Sequence, residues 1–441
     1  MNKYFYTLLV NLIVIGTVKA GEWFESGLFR YEILSHIGSG GTVKIIGFSS
    51  STDEDNIESL YIPSEVPTYS YKIVEIGENA FSYTRNLRNV IISNSITKIG
   101  TNAFIGCYQL ESVSISSFVT EMGSYAFSGC SSLATINIPA SVKNMGQGVF
   151  QNCSSLLQIS LPNSLTTISN SLFKGCTGLT DLIIPNSITE IEDFAFSDCD
   201  NILDINLPEG LFSIGNYSFE NCKGMKSINI PASTQWIGMN PFKGCSSLES
   251  LIMNDNKKYH LYDEVLYENN PLKLIGCPAS KINAEVEPLT EIFSYSCFAG
   301  CENLEKITIP KTVREICSDA FHGCTSLKTI RCEIEDVYFC EPGFSNYDAT
   351  LYVPEGMTEL YLTVEPWKNF KNVKEISSSD IVETFVNSDF GQIFFESEMP
   401  IKIWNLLGRI IYSGSSTTIP ELNRGIYILE CSDFSQKILI K

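Results

Sequence analysis

Histidine is scarce in this chain: His36, His260 and His322 are the only three in 441 residues. They stand far apart, and no His-Glu-x-x-His motif or nearby His pair occurs to chelate a metal or serve a triad. No C-x-x-C zinc spacing is present either, although the chain has 15 cysteines. With no acid, base and nucleophile to assemble, the sequence predicts no enzyme, no cofactor and no metal site. Basic residues are few as well: 30 Lys and Arg face 50 Asp and Glu, a formal charge of −20. That excess repels phosphate backbones and anionic lipid at long range. No Lys/Arg cluster interleaved with aromatics offsets it, so nucleic acid is not an expected partner. Gly38-Ser39-Gly40-Gly41-Thr42 lacks the spacing and lysine of a phosphate loop and reads as a turn.

Long apolar runs are missing after residue 20, and the mature chain is therefore expected to carry no transmembrane segment. Before that point Lys3 precedes an apolar run through Leu8, Leu9, Val10, Leu12, Ile13, Val14 and Ile15, and small residues lead to Val18-Lys19-Ala20. This pattern predicts a signal peptide over residues 1–20, cleaved after Ala20. A membrane anchor is the alternative, but the run is shorter than the ~20 residues of a spanning helix. The body is 44% hydrophobic and 18% charged, a globular profile that excludes disordered, coiled-coil and collagen-like chains.

What the chain does have is a repeat. Cys107, Cys130, Cys153, Cys176, Cys199, Cys222 and Cys245 lie 23 residues apart, and Cys301 and Cys324 repeat the interval. A phenylalanine precedes each cysteine by three positions, from Phe104 to Phe242 and again at Phe298 and Phe321; Phe81 opens the series with Thr84 in the cysteine slot. An aliphatic residue follows three positions later, as at Leu110, Leu133 and Leu156, and then a short alternating stretch such as Ile136-Asn137-Ile138-Pro139. Alternation is strand periodicity, and proline closes the strand.

Six or seven buried apolar side chains supply ~10 to 20 kcal/mol, whereas ordering 23 residues costs ~1 to 2 kcal/mol each in backbone entropy. One lap cannot fold alone. Stacked laps bury both faces and pair their strands at ~4.8 Å, giving a parallel sheet along one side of a solenoid.

The order Ile-Gly, two variable residues, Ala-Phe, two variable residues, Cys, two variable residues, Leu, then Ile-x-Ile-Pro resembles the BspA-like leucine-rich-repeat proteins. Ala103-Phe104 through Ser116 and Ala126-Phe127 through Pro139 carry the likeness, which covers roughly residues 21 to 376. It implies a β-rich leucine-rich-repeat solenoid with short helical turns and a parallel strand sheet along one face. Residues 21–77 are expected to form an N-terminal cap and first irregular repeat, and residues 78–376 the regular repeats. One lap, 254–290, is enlarged and contains Tyr262-Asp263-Glu264-Val265-Leu266-Tyr267, an Asn-Pro turn and Leu272-Lys273-Leu274-Ile275, which reads as a hairpin. Aromatic padding and a tyrosine-rich contact site both remain open for it. The closing repeat, 350–376, is expected to plug the core with Trp367 and Phe370.

After the polar Ser377-Ser378-Ser379-Asp380 the repeat stops. Ile401-Lys402-Ile403-Trp404-Asn405-Leu406-Leu407-Gly408-Arg409, Gly425-Ile426-Tyr427-Ile428 and the ending Lys437-Ile438-Leu439-Ile440-Lys441 resemble the type A sorting domain of type IX secretion substrates. Residues 377–441 are thus expected to be a linker and a small C-terminal β-sandwich domain read by the type IX export machinery. A β-domain with its own binding role is the alternative. The resemblance implies a chain secreted from, or attached to the outer surface of, a Gram-negative bacterium.

The nine cysteines of the ladder point in parallel, a direction that disfavours bridges, and read as free buried thiols. Cys277, Cys297, Cys317, Cys332, Cys340 and Cys431 lie off the ladder, and a Cys332–Cys340 pair stays open.

Function then has room on the outward side of the strand sheet. Alternation places Ser112, Thr135, Gln158, Asp181, Asp204, Ser227 and Ser250 in one outward file. Ser114, Asn137, Ser160, Ile183, Asn206, Asn229 and Ile252 form a second. Hydroxyls, amides and acids can bond an extended polypeptide or a glycan, and Asp181 and Asp204 can receive a basic side chain; a plain solvated face has the same composition. The expected function is binding of a protein ligand, and the resemblance implies adhesion to host matrix or to other cells. A polysaccharide ligand and a spacer without specific ligand are the alternatives.

Overall fold

The computed structural model describes residues 20–37, 40–67 and 69–376, and beyond them the backbone of six strands between Thr384 and Ile440. Residues 1–19 of the expected signal peptide and the linker residues 377–383 lie outside the described residues, as do Gly38 and Ser39.

Each regular lap is a flattened coil with two strands and a turn side. The first strand carries the alternating stretch: Thr135–Asn137, Gln158–Ser160 and Asp181–Ile183 pair in parallel, residue to residue at the repeat interval (Thr135 with Gln158, Gln158 with Asp181). Ser59–Ile62, Asn89–Ile92 and Ser112–Ser114 precede them, and Asp204–Ile205, Ser227–Ile230 and Ser250–Met253 follow. After the proline each lap forms a second, two-residue strand, such as Thr167–Ile168, Glu190–Ile191, Ser213–Ile214 and Trp236–Ile237, again paired in parallel. The solenoid therefore has two sides lined by parallel strands, each made of several shorter ladders.

The third side, with the Phe and Cys positions, holds almost no helix; Thr358–Tyr361 is the one α-helix among the described residues. Hydrogen bonding explains why. Alternate amides donate across to the next lap (Phe104 N to Ala126 O, 2.8 Å; Gly106 N to Ser128 O, 2.7 Å), and those between close three-residue turns (Ile105 N to Asn102 O, 3.1 Å; Cys107 N to Phe104 O, 3.3 Å). A helix would keep every amide within its own lap. The alternation needs left-handed residues at intervals, here Asn102 (φ 55°) and Gly106 (φ 69°). At Gly106 a Cβ would also meet the Tyr83 ring at 2.4 Å.

Inside, the phenylalanines from Phe81 to Phe242 stack one per lap with centroids 5.3 to 6.0 Å apart. Beside them the cysteine thiols of eight laps donate to the phenylalanine carbonyl of the preceding lap at 3.0 to 3.4 Å. A small apolar residue with a weak donor suits that slot, because the carbonyl lies where water cannot reach it. All fourteen described cysteines are free, including Cys332 and Cys340; Cys431 is not among them.

Both solenoid ends are covered. Trp23–Ser26, Phe29–Ile37 and Gly40–Phe48 form an antiparallel unit whose last strand runs parallel to Ser70–Ile76. Phe29 and Phe48 lie 5.9 and 5.0 Å from Phe81, closing the Phe stack. At the far end Trp367 and Phe370 pack on Phe344 at 5.7 and 5.1 Å.

The enlarged lap divides the core into two clusters, one running from Phe24 to Ile275 and the other from Val265 to Phe370. Tyr259–Tyr262, Val265–Glu268 and Lys273–Gly276 are antiparallel neighbours, and the last runs parallel to Ile292–Phe293, where the coil resumes. Beyond residue 383, Thr384–Asn387 pairs with Gln392–Phe395. Ile410–Gly414, Ile401–Asn405, Gly425–Cys431 and Phe434–Ile440 form a four-stranded antiparallel sheet in that order.

Candidate binding face

Strand alternation turns every second residue of the first sheet outward. Ser112, Thr135, Gln158, Asp181 and Asp204 are exposed in the first file, and Ser227 and Ser250 are half-buried. In the second file Ser114, Asn137, Ser160, Asn206 and Asn229 are exposed, with Ile183 at 73% and Ile252 at 47% exposure. The residues between, such as Val113, Ile136 and Ile159, are buried in the core.

Six of these polar residues come together. Ser112, Thr135, Asn137, Gln158, Ser160 and Asp181 line one open depression of about 550 Å3, with Ile183 at its end. Ser114, Asp204, Asn206, Ser227 and Asn229 lie on the same face outside it. Before the enlarged lap the strand pairing along this face is interrupted twice, between Ser112–Ser114 and Thr135–Asn137 and between Asp181–Ile183 and Asp204–Ile205. Ser112 Oγ donates to Asn89 Oδ1 at 2.7 Å. Asp181 and Asp204 take part in no ion pair among the described residues, whereas carboxylates elsewhere do, such as Glu220 with Lys243 and Glu291 with Arg314.

Two features lie outside the two outward files read from the sequence. Leu157 and Leu203, the residues before the strands of their laps, are 53% and 54% exposed and flank the Asp181 lap on its two sides. The outward face also continues past the enlarged lap, through Lys306–Ile309, Thr329–Cys332, Thr350–Val353 and Asn372–Glu375. The same alternation in Lys306-Ile307-Thr308-Ile309 marks that continuation in the sequence.

The remaining reactive groups have structural partners. His36 Nδ1 lies 2.6 Å from the Tyr71 hydroxyl, and His260 Nε2 lies 2.7 Å from Glu287 Oε2 while its ring stacks on Tyr267; His322 is exposed. Burial pushes the thiols of Cys107, Cys153 and Cys324 up to about 12, so they stay protonated and unreactive at neutral pH. Among the described residues no group of three or more His, Cys, Asp or Glu is placed to hold a metal ion, and no helix is long and apolar enough to cross a membrane.

The profile of the BspA type leucine rich repeat region matches the chain in six copies, over residues 24–154, 74–203, 166–287 and 290–402. Among solved structures, a leucine-rich cell surface protein of Faecalibacterium prausnitzii is 23% identical and superposes with a TM-score of 0.58, over 82% of this chain and 96% of that one. A leucine-rich repeat protein of Bacteroides ovatus is also 23% identical, with a TM-score of 0.45 over 80% of this chain and 100% of that one. The comparison with curated proteins gives no match. The first structural likeness shows the fold, and the repeat profile spans most of the solenoid. With its stacked Phe and Cys files and its outward strand face, the chain belongs to the BspA-type leucine-rich-repeat family.

Proposed function

We propose that the chain is an exported, surface-displayed protein that binds a polypeptide ligand on the outward face of its first sheet, as in adhesion to matrix components or to other cells. The observation that carries this reading is the depression between Ser112 and Ile183. It combines hydroxyls, amides, a carboxylate in no ion pair among the described residues and an exposed isoleucine on one strand face. An extended chain lying there would bond the amides and hydroxyls, place a basic side chain against Asp181 or Asp204, and cover Leu157, Ile183 and Leu203. Polypeptide is favoured over polysaccharide by those exposed aliphatic side chains. The N-terminal apolar run and the likeness of residues 401–441 to a sorting domain support export to the outer surface of a Gram-negative cell, and the description of the Faecalibacterium protein as a cell surface protein supports surface display in general.

The test is binding of the full mature chain to immobilised matrix glycoproteins, with Asp181→Ala/Asp204→Ala as the variant. Loss of a charge-assisted contact of ~1.5 kcal/mol or more corresponds to at least about tenfold weaker binding. Unchanged affinity would move the site off this face, and no binding to any protein ligand would leave the spacer role in its place.

A further inference from the structure

The outward face changes sign across the enlarged lap. Before it, the outward strand positions from Ser59 to Ile252 carry two acids, Asp181 and Asp204, and no cation. After it, those from Lys306 to Lys374 carry three cations, Lys306, Arg331 and Lys374, and no acid. The chain as a whole carries a net charge of −20.

Register brings the three together. Thr308, Arg331, Tyr352 and Lys374 are direct partners on successive parallel strands, so Tyr352 stands between Arg331 and Lys374. At ~4.8 Å per strand the two charges are roughly 10 Å apart. In the neighbouring file Lys306 stands between Asn283 and Thr329, with Thr350 beyond, and the exposed Glu285 borders Thr308 on the enlarged-lap side. Lys306 and Lys374 are exposed and in no ion pair among the described residues. Arg331 gives its Nε to Glu333 at 2.8 Å, which engages one of its five N–H groups, and Glu285 and Glu375 bound the cations at the two ends of the stretch. Nearby Lys328 and Lys371 are neutralised by Glu305 and Asp348.

We infer that this section is a second binding site, for an acidic polysaccharide bearing carboxylate or sulfate groups. Cations at roughly 10 Å intervals meet periodic anions, and an Arg fork suits a planar carboxylate or a sulfate. The Thr308, Thr329 and Thr350 hydroxyls meet sugar hydroxyls, and the half-buried Tyr352 ring offers a stacking surface between the charges. An acidic peptide would satisfy the charges but would leave the ring and hydroxyls less well used. The negative remainder of the chain does not cancel the site, because charges beyond ~8 Å are largely screened at physiological salt.

The experiment measures binding of the full chain to heparin (sulfate), polygalacturonate (carboxylate), poly-glutamate and dextran at about 50 and 200 mM NaCl. Binding is expected to one or both acidic glycans and not to dextran, weakening roughly tenfold or more between the two salt levels. Lys306→Gln/Arg331→Gln/Lys374→Gln should bind at least about tenfold more weakly with an unchanged melting temperature, Lys306→Arg/Lys374→Arg should keep binding, and Asp181→Asn/Asp204→Asn should bind like the parent. The proposal is overturned by failure of both acidic glycans to bind at the lower salt, by full binding of the glutamine variant, or by poly-glutamate binding as tightly as either glycan. Loss of glycan binding in the Asp181/Asp204 variant would overturn it too, by moving the site to the first section.

Discussion

Phe173→Ala tests whether the phenylalanine file carries the stability of the solenoid. Phe173 is fully buried in mid-array, stacked on Phe150 at 5.8 Å and on Phe196 at 5.6 Å, with ring planes 9° and 12° apart. Truncating a core Phe to Ala costs ~3 to 5 kcal/mol. The two lost stacks place this case at the upper end, since each is worth ~0.5 to 1.5 kcal/mol beyond area burial. That is a large share of a typical folding free energy of ~5 to 15 kcal/mol. In a linear array the loss falls on the two interfaces of one lap, so the halves should separate in stability. Urea unfolding followed by far-ultraviolet circular dichroism should show an earlier first transition. Fluorescence of Trp367, the tryptophan buried in the second core cluster, should shift less. Phe173→Leu should recover most of the loss. A cost below about 1 kcal/mol, or equal shifts of both probes, would refute the reasoning that laps are held by this file and coupled only to neighbours.

Alkaline stability should fall steeply. Cys107, Cys153 and Cys324 have thiols raised by burial from 9.0 to about 12, so the unfolded chain releases these protons first. Their contribution is intact below pH 9 and lost between 9 and 12 at ~1.4 kcal/mol per pH unit for each thiol. Melting temperatures flat up to pH 9 and dropping above it would agree; a flat profile to pH 11 would not. Thiol titration of denatured protein should detect at least the fourteen described free cysteines with or without reductant, and almost none in native protein; a count that rises on reduction would reveal a bridge. Gly106→Ala should cost ~1 to 2 kcal/mol, from left-handed strain and the contact with Tyr83. Adding Tyr83→Ala should relieve only the contact part, and full rescue would show that backbone strain is negligible.

Much of the fold is legible because its information is local and repeated. Phe104, Cys107 and Leu110 return at fixed offsets, and a period of 23 with one alternating stretch per lap permits little besides a stacked coil. The two-residue strands such as Lys98–Ile99 leave no alternation to read, which is why the second sheet is not visible beforehand. The turn chemistry is equally hidden: Tyr125 at φ 58° and Phe194 at φ 56° are residues that sequence rules do not assign to left-handed turns. Of the candidate face, alternation identifies the outward positions, including Asp181 and Ser160. It is silent on Leu157 and Leu203, which are exposed where the chain enters the strand.

The sequence by itself determined the lap, its inward Phe, Cys and Leu positions and the outward files, because each depends on residues within one repeat of each other. Only the tertiary structure decided which outward residues share the depression. It also decided that the thiols cap carbonyls of the preceding lap and that the face reverses its charge beyond the enlarged lap. Those properties belong to neighbouring laps together. They depend on register between strands 23 or more residues apart, and a one-residue shift would carry every such side chain to the opposite face.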